Sequence, residues 1–351
     1  MRVISLGSGS SGNSLLIEAG PGRRTKLLVD AGFPDSTLMA RLRQVGVSPA
    51  QLSGILLTHE HSDHILGLPR LMKRYAVPVI ADARTLEAIQ RLSVASDTWQ
   101  TELAAIDQFP DTLLQPGAVM EEPGIYRVQR VATRVPTSLY TAPAPTEIAA
   151  DTVTVGADKS VLVANELKDA PQAPLRPLPV GSRTVFGDIE VTSFPVSHDA
   201  IAPCGYLLCA GGCRVCVVID SGEVTPAMLE AMHQADLLVL ESNHDREKLL
   251  RGPYPYALKL RILSPTGHLS NDQAADAVLR TWRTDSVRWL WLSHLSRTNN
   301  TPKIALNSIV SRLQAARANL AQVHITVLPP GMGGVWDSTQ LWHTPSLWEY
   351  S

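Results

Sequence analysis

Residues 58–64 read Thr-His-Glu-His-Ser-Asp-His, and this short stretch is the most informative in the chain. It offers three imidazoles and a carboxylate within six positions, in the pattern H-x-H-x-D-H. An apolar run at 54–57 predicts a buried strand before it, and apolar residues at helical spacing over 65–74 predict a helix after it. The cluster therefore follows the carboxyl end of a core strand, where α/β sheets carry their sites. Polar side chains crowded together in an apolar core would each need a hydrogen-bond partner. The pattern therefore favours a metal site over a purely structural role.

The bulk composition predicts a globular protein. The chain has 351 residues, 44% of them hydrophobic and 18% charged, which suits one large domain or two ordinary ones. The net charge of −2 argues against a surface coated in basic charge for gripping long nucleic acid, although a local basic patch stays open. We find no signal peptide at the start and no apolar run of membrane-spanning length, and we expect a cytoplasmic protein with no membrane partner.

Four cysteines fall within thirteen positions, which raises the question of a zinc ribbon or a disulfide. Two predicted strands contain them, joined at residues 210–212. Cys213 and Cys216 are an odd number of residues apart and so point to opposite faces of their strand, which does not suit a chelating turn. We expect small core residues, with a cross-turn pair of Cys209 and Cys213 as the alternative.

The order of predicted strands and helices indicates one α/β domain formed by residues 1–95 and 175–327. Between its two parts, residues 96–174 are rich in Ala, Thr, Pro and Asp, and we interpret them as an inserted β-rich lid or dimerisation segment. Residues 328–351 form a C-terminal tail that we expect to cover the fold or to mediate a homodimer. The tail carries three tryptophans: Trp336, Trp342 and Trp348.

Further ligand-type residues follow other predicted strands. His198, Asp220 and His294 each come directly after an apolar run. Asp30 also ends a strand, where it can orient a ligand or cap the next helix. Ligand-type residues at several separate strand ends are what two metal ions need, with positions left for water and substrate.

The order of these residues resembles the metallo-β-lactamase fold, an α/β protein built as a four-layer αββα sandwich. Several short motifs in the sequence are similar to those of the bacterial YycJ/WalJ-type hydrolases. The resemblance covers roughly residues 1–95 and 175–327. The motifs that carry it are Gly-Ser-Ser-Gly-Asn-Ser at 9–14, Ser-His-Asp at 197–199, Glu-Ser-Asn-His-Asp at 241–245, Ile-Leu-Ser at 262–264, Gly-His-Leu-Ser-Asn at 267–271 and His-Leu-Ser at 294–296.

The resemblance implies a ligand set and a reaction. One metal would be held by His59, His61 and His198. The other would be held by Asp63, His64 and His294, with Asp220 bridging the two. The implied activity is that of a nuclease-type phosphodiesterase, with exonuclease action on DNA, in which the metals generate an attacking hydroxide. We expect two divalent ions, zinc first, with manganese or iron as alternatives because imidazole and carboxylate ligands suit all three.

Other residues are candidates for supporting roles. Cleavage of a phosphodiester is faster when a proton donor protonates the leaving oxygen. His268 and His244 are candidates for this donor, although either can be structural. Asp63 joins this catalytic group, while Asp30, Thr58 and Glu241 are expected to orient ligands. The glycine-rich loop at 7–14 either forms a plain turn or lines the site, and a later segment either contacts substrate or is a surface loop. The predicted substrate-binding residues in these two segments are Ser10, Asn13, Tyr254, Lys259 and Arg261.

The residues leave three hypotheses for function. The first is a two-metal phosphodiesterase acting on DNA or RNA ends, or on a small phosphodiester. The second is hydrolysis of a lactone, β-lactam or thioester, because metal ions also polarise carbonyl groups. The third is a non-catalytic metal-bound module, which is disfavoured because every ligand position is filled.

Overall fold

The computed structural model describes residues 1–94, 173–284 and 286–341. These residues form two seven-stranded sheets packed face to face, with helices on both outer faces. The predicted αββα sandwich is thereby confirmed. The predicted insertion lies almost entirely outside the described residues, as do Trp342 and Trp348. Within the described part, no helix has the length and apolarity to cross a membrane.

The first sheet combines an antiparallel half and a parallel half. Its order is β14-β1-β2-β3-β4-β5-β6, and the strands from β3 to β6 run parallel. Its strands are β1 (Arg2–Gly7), β2 (Ser14–Ala19), β3 (Thr25–Val29), β4 (Gly54–Leu56), β5 (Val79–Ala81), β6 (Leu175–Pro177) and β14 (Val335–Asp337).

The second sheet has the same mixed character. Its order is β13-β12-β11-β10-β9-β8-β7, with antiparallel pairing from β7 to β10 and parallel pairing from β10 to β13. Its strands are β7 (Arg183–Phe186), β8 (Ile189–Pro195), β9 (Cys204–Ala210), β10 (Cys213–Val218), β11 (Leu237–Glu241), β12 (Arg288–Ser293) and β13 (Val323–Val327).

Helices cover the outer faces because each sheet is apolar on both sides. They are α1 (Asp35–Gln44), α2 (Ser62–Ile65), α3 (Leu68–Tyr75), α4 (Ala83–Val94), α5 (Pro226–Gln234), α6 (Arg246–Arg251), α7 (Tyr256–Ile262), α8 (Asn271–Arg280) and α9 (Pro302–Ala315). The first sheet packs against α1, α3 and α4, and the second against α5, α8 and α9. Ser270 caps α8 with a capping box.

The main core lies between the two sheets. On β2, Leu15 and Ile17 face this core while Leu16 faces the helices, as the two-residue period of a strand requires. Trp291 and Tyr206 fill the same core from the second sheet. Burial on both faces explains why these strands read as continuous apolar runs rather than as alternating ones.

The four cysteines belong to the packing of the second sheet. All four are free thiols, and Cys204, Cys213 and Cys216 are buried. Cys213 faces the core between the sheets while Cys216 faces the helices, so the predicted opposite orientation is confirmed. Cys209 packs on the helix side, opposite to Cys213, so these two do not form a cross-turn pair.

The beginning of the predicted tail forms part of the first sheet. Residues 335–337 make β14, which pairs with β1 through Val3 and Trp336. The Trp336 side chain is fully buried in the core between the sheets, and its ring centroid lies 6.3 Å from that of Trp289. This part of the tail therefore completes the sheet edge.

We expect Trp336→Ala to lower the free energy of unfolding by about 3–5 kcal/mol, because it leaves a large cavity between the sheets. Urea denaturation of the purified protein measures this. The neighbouring Val335→Ala is the control, since Val335 is exposed and its loss should change stability by no more than about 0.5 kcal/mol. Equal effects of the two substitutions would contradict the assigned packing.

Candidate metal centre

The predicted ligands meet at one edge of the sandwich. His59 and His61 follow β4, and Asp63 and His64 lie in α2. The other three follow β8, β10 and β12, whose carboxyl ends reach the same edge because these strands run in the same direction. They are His198, Asp220 and His294.

One group of possible ligands contains His59, His61 and His198. One ligand atom from each lies within 4.8 Å of the others. His61 Nδ1 and His198 Nε2 are 3.3 Å apart, and the His59 and His61 ring centroids are 4.6 Å apart. Three imidazoles converging in this way are a known donor set for divalent metal ions such as zinc.

A second group contains Asp63, His64 and His294. The Oδ2 atom of Asp63 lies 3.4 Å from His64 Nε2 and 3.3 Å from His294 Nε2. Their ligand atoms also fall within 4.8 Å of one another. This group adds a carboxylate to two imidazoles, and carboxylate oxygen is a common ligand of divalent ions.

Asp220 lies between the two groups. Its Oδ2 atom is 2.8 Å from His64 Nε2 and 3.6 Å from His59 Nε2, so one oxygen faces a member of each group. Its side chain is almost fully buried. This position agrees with the bridging role that the family resemblance implies.

Divalent metal ions fit these residues. His59 Nε2 is buried without a hydrogen-bond partner among the described residues, as expected of a ring nitrogen whose partner is an ion. Burial and the neighbouring His64 imidazole lower the pKa of His59 well below its usual value. The neutral ring that results is the form that binds a metal.

The carboxylate of Asp30 orients two of the ligands. It lies 2.8 Å from His64 Nδ1 and accepts a hydrogen bond of 2.9 Å from the backbone N–H of Thr58. The Thr58 hydroxyl lies 3.0 Å from both Asp30 and His59 Nδ1. Burial raises the pKa of Asp30, and the contacts with His64 and Thr58 oppose that shift. Asp30 and Thr58 thus hold the far ring nitrogens of both histidines.

Asp30 and His294 share an unusual backbone conformation. Their φ angles are 61° and 52°, in the left-handed region that residues other than glycine rarely adopt. Both residues directly follow a strand, β3 and β12, and both point a polar side chain toward the cluster. Backbone strain of this kind is concentrated at functional sites, where the surrounding structure maintains it.

The glycine-rich loop supports the second group. Asn13 is buried, and its amide nitrogen donates to Asp63 Oδ2 at 3.1 Å while its backbone N–H donates to the Asp63 carbonyl at 2.8 Å. Asn13 is therefore placed to orient Asp63, one of the predicted ligands. The Ser8 hydroxyl accepts a hydrogen bond of 2.8 Å from the backbone N–H of His294. Ser10 is exposed on the same loop.

Glu241 and His268 form a hydrogen-bonded pair beside Asp220. His268 Nδ1 lies 2.7 Å from Glu241 Oε1 and 3.2 Å from Asp220 Oδ1. Burial opposes protonation of His268, but the carboxylates of Glu241 and Asp220 outweigh it and raise the pKa to about 9. The His268 side chain is 22% exposed, against 5% for His294, so it is accessible from the solvent side of the cluster.

Four other predicted residues lie apart from this cluster or at its rim. His244 is buried, neither ring nitrogen has a hydrogen-bond partner among the described residues, and burial lowers its pKa to about 4. Lys259 donates to the Leu250 carbonyl, and Tyr254 is half-buried. Arg261 lies at the rim, where its Nε donates to Asp199 at 2.6 Å.

Three supporting groups were not predicted from the sequence. They are Ser8, the Gly267 carbonyl 3.0 Å from His198 Nδ1, and Asp199, whose Oδ1 lies 3.4 Å from His198 Nε2. Ser8 and Gly267 lie in or beside quoted motifs, but no spacing rule identifies a backbone acceptor or a distant serine. Gly267 is needed because a Cβ there would lie 2.3 Å from the Arg261 and Ile262 carbonyls.

Comparison with known proteins gives consistent matches. A family model described as "Metallo-beta-lactamase superfamily" matches residues 7–250. The exodeoxyribonuclease YycJ of Bacillus anthracis is 31% identical over 309 residues, covering 88% of this chain and 88% of that protein. The exodeoxyribonuclease WalJ of Streptococcus pneumoniae serotype 2 (strain D39 / NCTC 7466) is 29% identical over 311 residues, covering 89% and 87%.

A solved structure shares the fold at low sequence identity. The crystal structure of Zn(2+)-bound PqqB from Methylobacterium extorquens has a TM-score of 0.57 and 14% identity. The match covers 96% of this chain and 100% of that one. At this identity the likeness shows the fold alone.

We expect Asp30→Asn to weaken metal binding about 10- to 100-fold, because an amide cannot hold His64 Nδ1 as the carboxylate does. Competition with a chromogenic chelator measures the affinity, and Asp220→Ala, which removes the predicted bridging ligand, is expected to cause the largest loss of affinity. Glu18→Gln is the matched control, because Glu18 is a buried carboxylate at the far end of β2. Wild-type metal affinity in Asp30→Asn would contradict the orienting role.

Proposed function

This chain belongs to the metallo-beta-lactamase superfamily, and we propose that it is a metal-dependent nuclease that cleaves phosphodiester bonds at DNA ends. Membership confirms the resemblance drawn from the order of the ligand-type residues and from the motifs around them. The observation that carries the proposal is the convergence of seven ligand-type side chains in two groups that share Asp220. Similarity to two exodeoxyribonucleases over nearly nine-tenths of the chain supports the substrate class.

Two ions are part of this proposal, one at each group of ligands. When bound there, such ions polarise a phosphodiester and lower the pKa of a water molecule, which is the chemistry that its hydrolysis requires. The imidazole-rich first group favours zinc, and the carboxylates of the second also suit manganese or iron. Asp63 serves this chemistry as a ligand that Asn13 keeps in position.

His268 acts as the proton donor to the leaving oxygen. Its Nδ1 is held by Glu241 and its ring is partly exposed, so Nε2 is the nitrogen available to a substrate. A positioned acid of this kind typically contributes a factor of 10²–10⁴ to the rate. His244 is a poorer candidate, because its ring is buried and its low pKa keeps it neutral.

Arg261 contributes charge at the rim on the side of the first ligand group. Its Nε binds Asp199, which in turn lies beside His198 and His61. A guanidinium in this position can contact a substrate phosphate with its remaining N–H groups, as arginine commonly does. Tyr254 and Lys259 remain candidates for weaker contacts on the same segment.

Alternative substrates are less well supported. A small phosphodiester would use the same residues, while a lactone, β-lactam or thioester would need no phosphate contacts at the rim. The similarity to exodeoxyribonucleases favours DNA over all of these. A homodimer and a cytoplasmic location remain predictions from the sequence.

We expect the purified protein with Mn²⁺ or Zn²⁺ to shorten end-labelled DNA oligonucleotides stepwise and to cleave bis-p-nitrophenyl phosphate. Gel electrophoresis of single- and double-stranded substrates labelled at either end measures the first activity and its polarity. A lactone serves as the comparison substrate. Hydrolysis of the lactone alone would overturn the proposal, and inactivity on all substrates would favour a non-catalytic role.

We expect His268→Ala to slow DNA cleavage by a factor of about 10²–10⁴ with unchanged metal content, because the leaving sugar oxygen loses its proton donor. Cleavage of bis-p-nitrophenyl phosphate should slow much less, since p-nitrophenolate leaves without a proton. His233→Ala, at an exposed histidine of α5, is the control. Equal slowing on both substrates would return His268 to a structural role.

A further inference from the structure

We propose that Arg297 and the turn at residues 9–12 form a phosphate-binding subsite next to the second ligand group. The inference rests on the proposed nuclease function and deepens it. It assigns the residues that bind the substrate strand beyond the scissile bond. The ligand is a phosphate of that strand, either its terminal phosphate or an internal phosphodiester. No residue of this subsite binds the metals or transfers a proton.

The turn presents polar groups to the solvent. Gly12 N donates to the Gly9 carbonyl at 2.9 Å, which closes the turn and leaves Ser10 and Ser11 at its tip. Both serines are exposed, and their backbone N–H groups have no partner among the described residues. Two adjacent backbone N–H groups without partners and two exposed hydroxyls are donors that an anion can bind.

The turn is anchored to the second ligand group at both ends. Before it, the Ser8 hydroxyl accepts the backbone N–H of His294 at 2.8 Å. After it, the Asn13 amide donates to Asp63 Oδ2 at 3.1 Å and its Oδ1 accepts from Gly9 N at 2.9 Å. The tip is therefore held at a defined place, next to residues that contact His294 and Asp63.

Arg297 supplies the positive charge. It lies three residues beyond His294, is exposed, and donates from Nη2 to the Ser11 hydroxyl at 2.8 Å. Among the described residues, no carboxylate lies within 4.0 Å of its guanidinium, whereas Arg261 across the site is paired with Asp199. The loop that carries Arg297 is fixed, because the preceding Ser296 bonds to Asn243 and Asn299. A guanidinium that is oriented and has no acidic partner can bind a phosphate through two parallel N–H···O hydrogen bonds.

The subsite defines a path for the substrate strand across the metal centre. Arg297 and the turn flank the Asp63, His64 and His294 group, while Arg261 flanks the side of His61 and His198. A strand that contacts both arginines crosses the two ligand groups between them. Bis-p-nitrophenyl phosphate has a single phosphate, which cannot occupy the ligand groups and the Arg297 subsite together.

The binding test uses the metal-loaded full chain and a cleavage-resistant phosphorothioate oligodeoxynucleotide, followed by fluorescence anisotropy. We expect Arg297→Ala to raise Kd about tenfold and to reduce the slope of log Kd against log salt by about 0.7, the value for one phosphate contact on a single strand. Arg297→Lys should recover part of the affinity, because lysine keeps the positive charge but lacks the paired N–H donors of the guanidinium. Arg312→Ala, at an exposed arginine toward the far end of α9, is the matched control and should change neither quantity.

Two forms of the oligonucleotide identify the source of the phosphate. If the Arg297→Ala effect occurs only with a 5′-phosphorylated strand, the subsite binds the terminal phosphate. If 5′-phosphorylated and 5′-hydroxyl strands lose affinity equally, it binds an internal phosphodiester. Both results support the subsite, while unchanged Kd and salt slope with both strands would overturn it.

Kinetics separate this inference from the proposed function. Arg297→Ala should raise KM for oligonucleotides about tenfold and leave kcat/KM for bis-p-nitrophenyl phosphate unchanged. Equal losses on both substrates would show that Arg297 acts on the metal centre and would overturn the subsite. Wild-type protein that binds the oligonucleotide through Arg297 but never cleaves it would contradict the nuclease function and leave the subsite standing.

Discussion

The site depends on one buried carboxylate, that of Asp30, and on the hydrogen bonds that hold it. A charge in a fully buried place is costly unless it is paired, and here His64 and Thr58 surround it. In return, Asp30 fixes the orientation of His64 directly and that of His59 through the Thr58 hydroxyl. One residue at the end of a neighbouring strand thus orients two predicted ligands that lie close together in sequence. His59 belongs to the first ligand group and His64 to the second, so Asp30 acts on both groups.

The same principle extends around the centre. Gly267 holds His198, Glu241 holds His268 and lies 3.1 Å from His294, and Asn13 holds Asp63. The predicted ligands reach the cluster from strand ends or from α2, and these partners reach them from other segments. The sandwich provides the rigid base for these segments, because its strands are buried on both faces. The site therefore combines ligands that share one edge with supports that come from distant parts of the chain.

Much of this arrangement follows from local sequence. The apolar runs that become β4, β10 and β12 are recognisable by length and composition, and a predicted ligand follows within three residues of the end of each strand. His268 and Glu241 stand in motifs that point to the site. For the loop that carries Asn13, the sequence leaves open whether it forms a plain turn or lines the site. Asn13 is buried because the loop folds back onto Asp63, a contact that no spacing predicts.

Local sequence is sufficient to predict which chemical groups follow the core strands, since periodicity, apolar runs and turn residues are local properties of the chain. It is also sufficient to predict a set of metal ligands, and its prediction of the family and of the αββα sandwich is confirmed. The groups that support the predicted ligands become apparent only in the tertiary structure. The Ser8 hydroxyl bonds to His294 across 286 positions of sequence, and the hydrogen bond from Arg297 to Ser11 spans as many. Contacts between such distant residues exist only once the two sheets have stacked and their polar ends have been brought to one edge, because the stacking is set by the whole apolar core rather than by any short stretch.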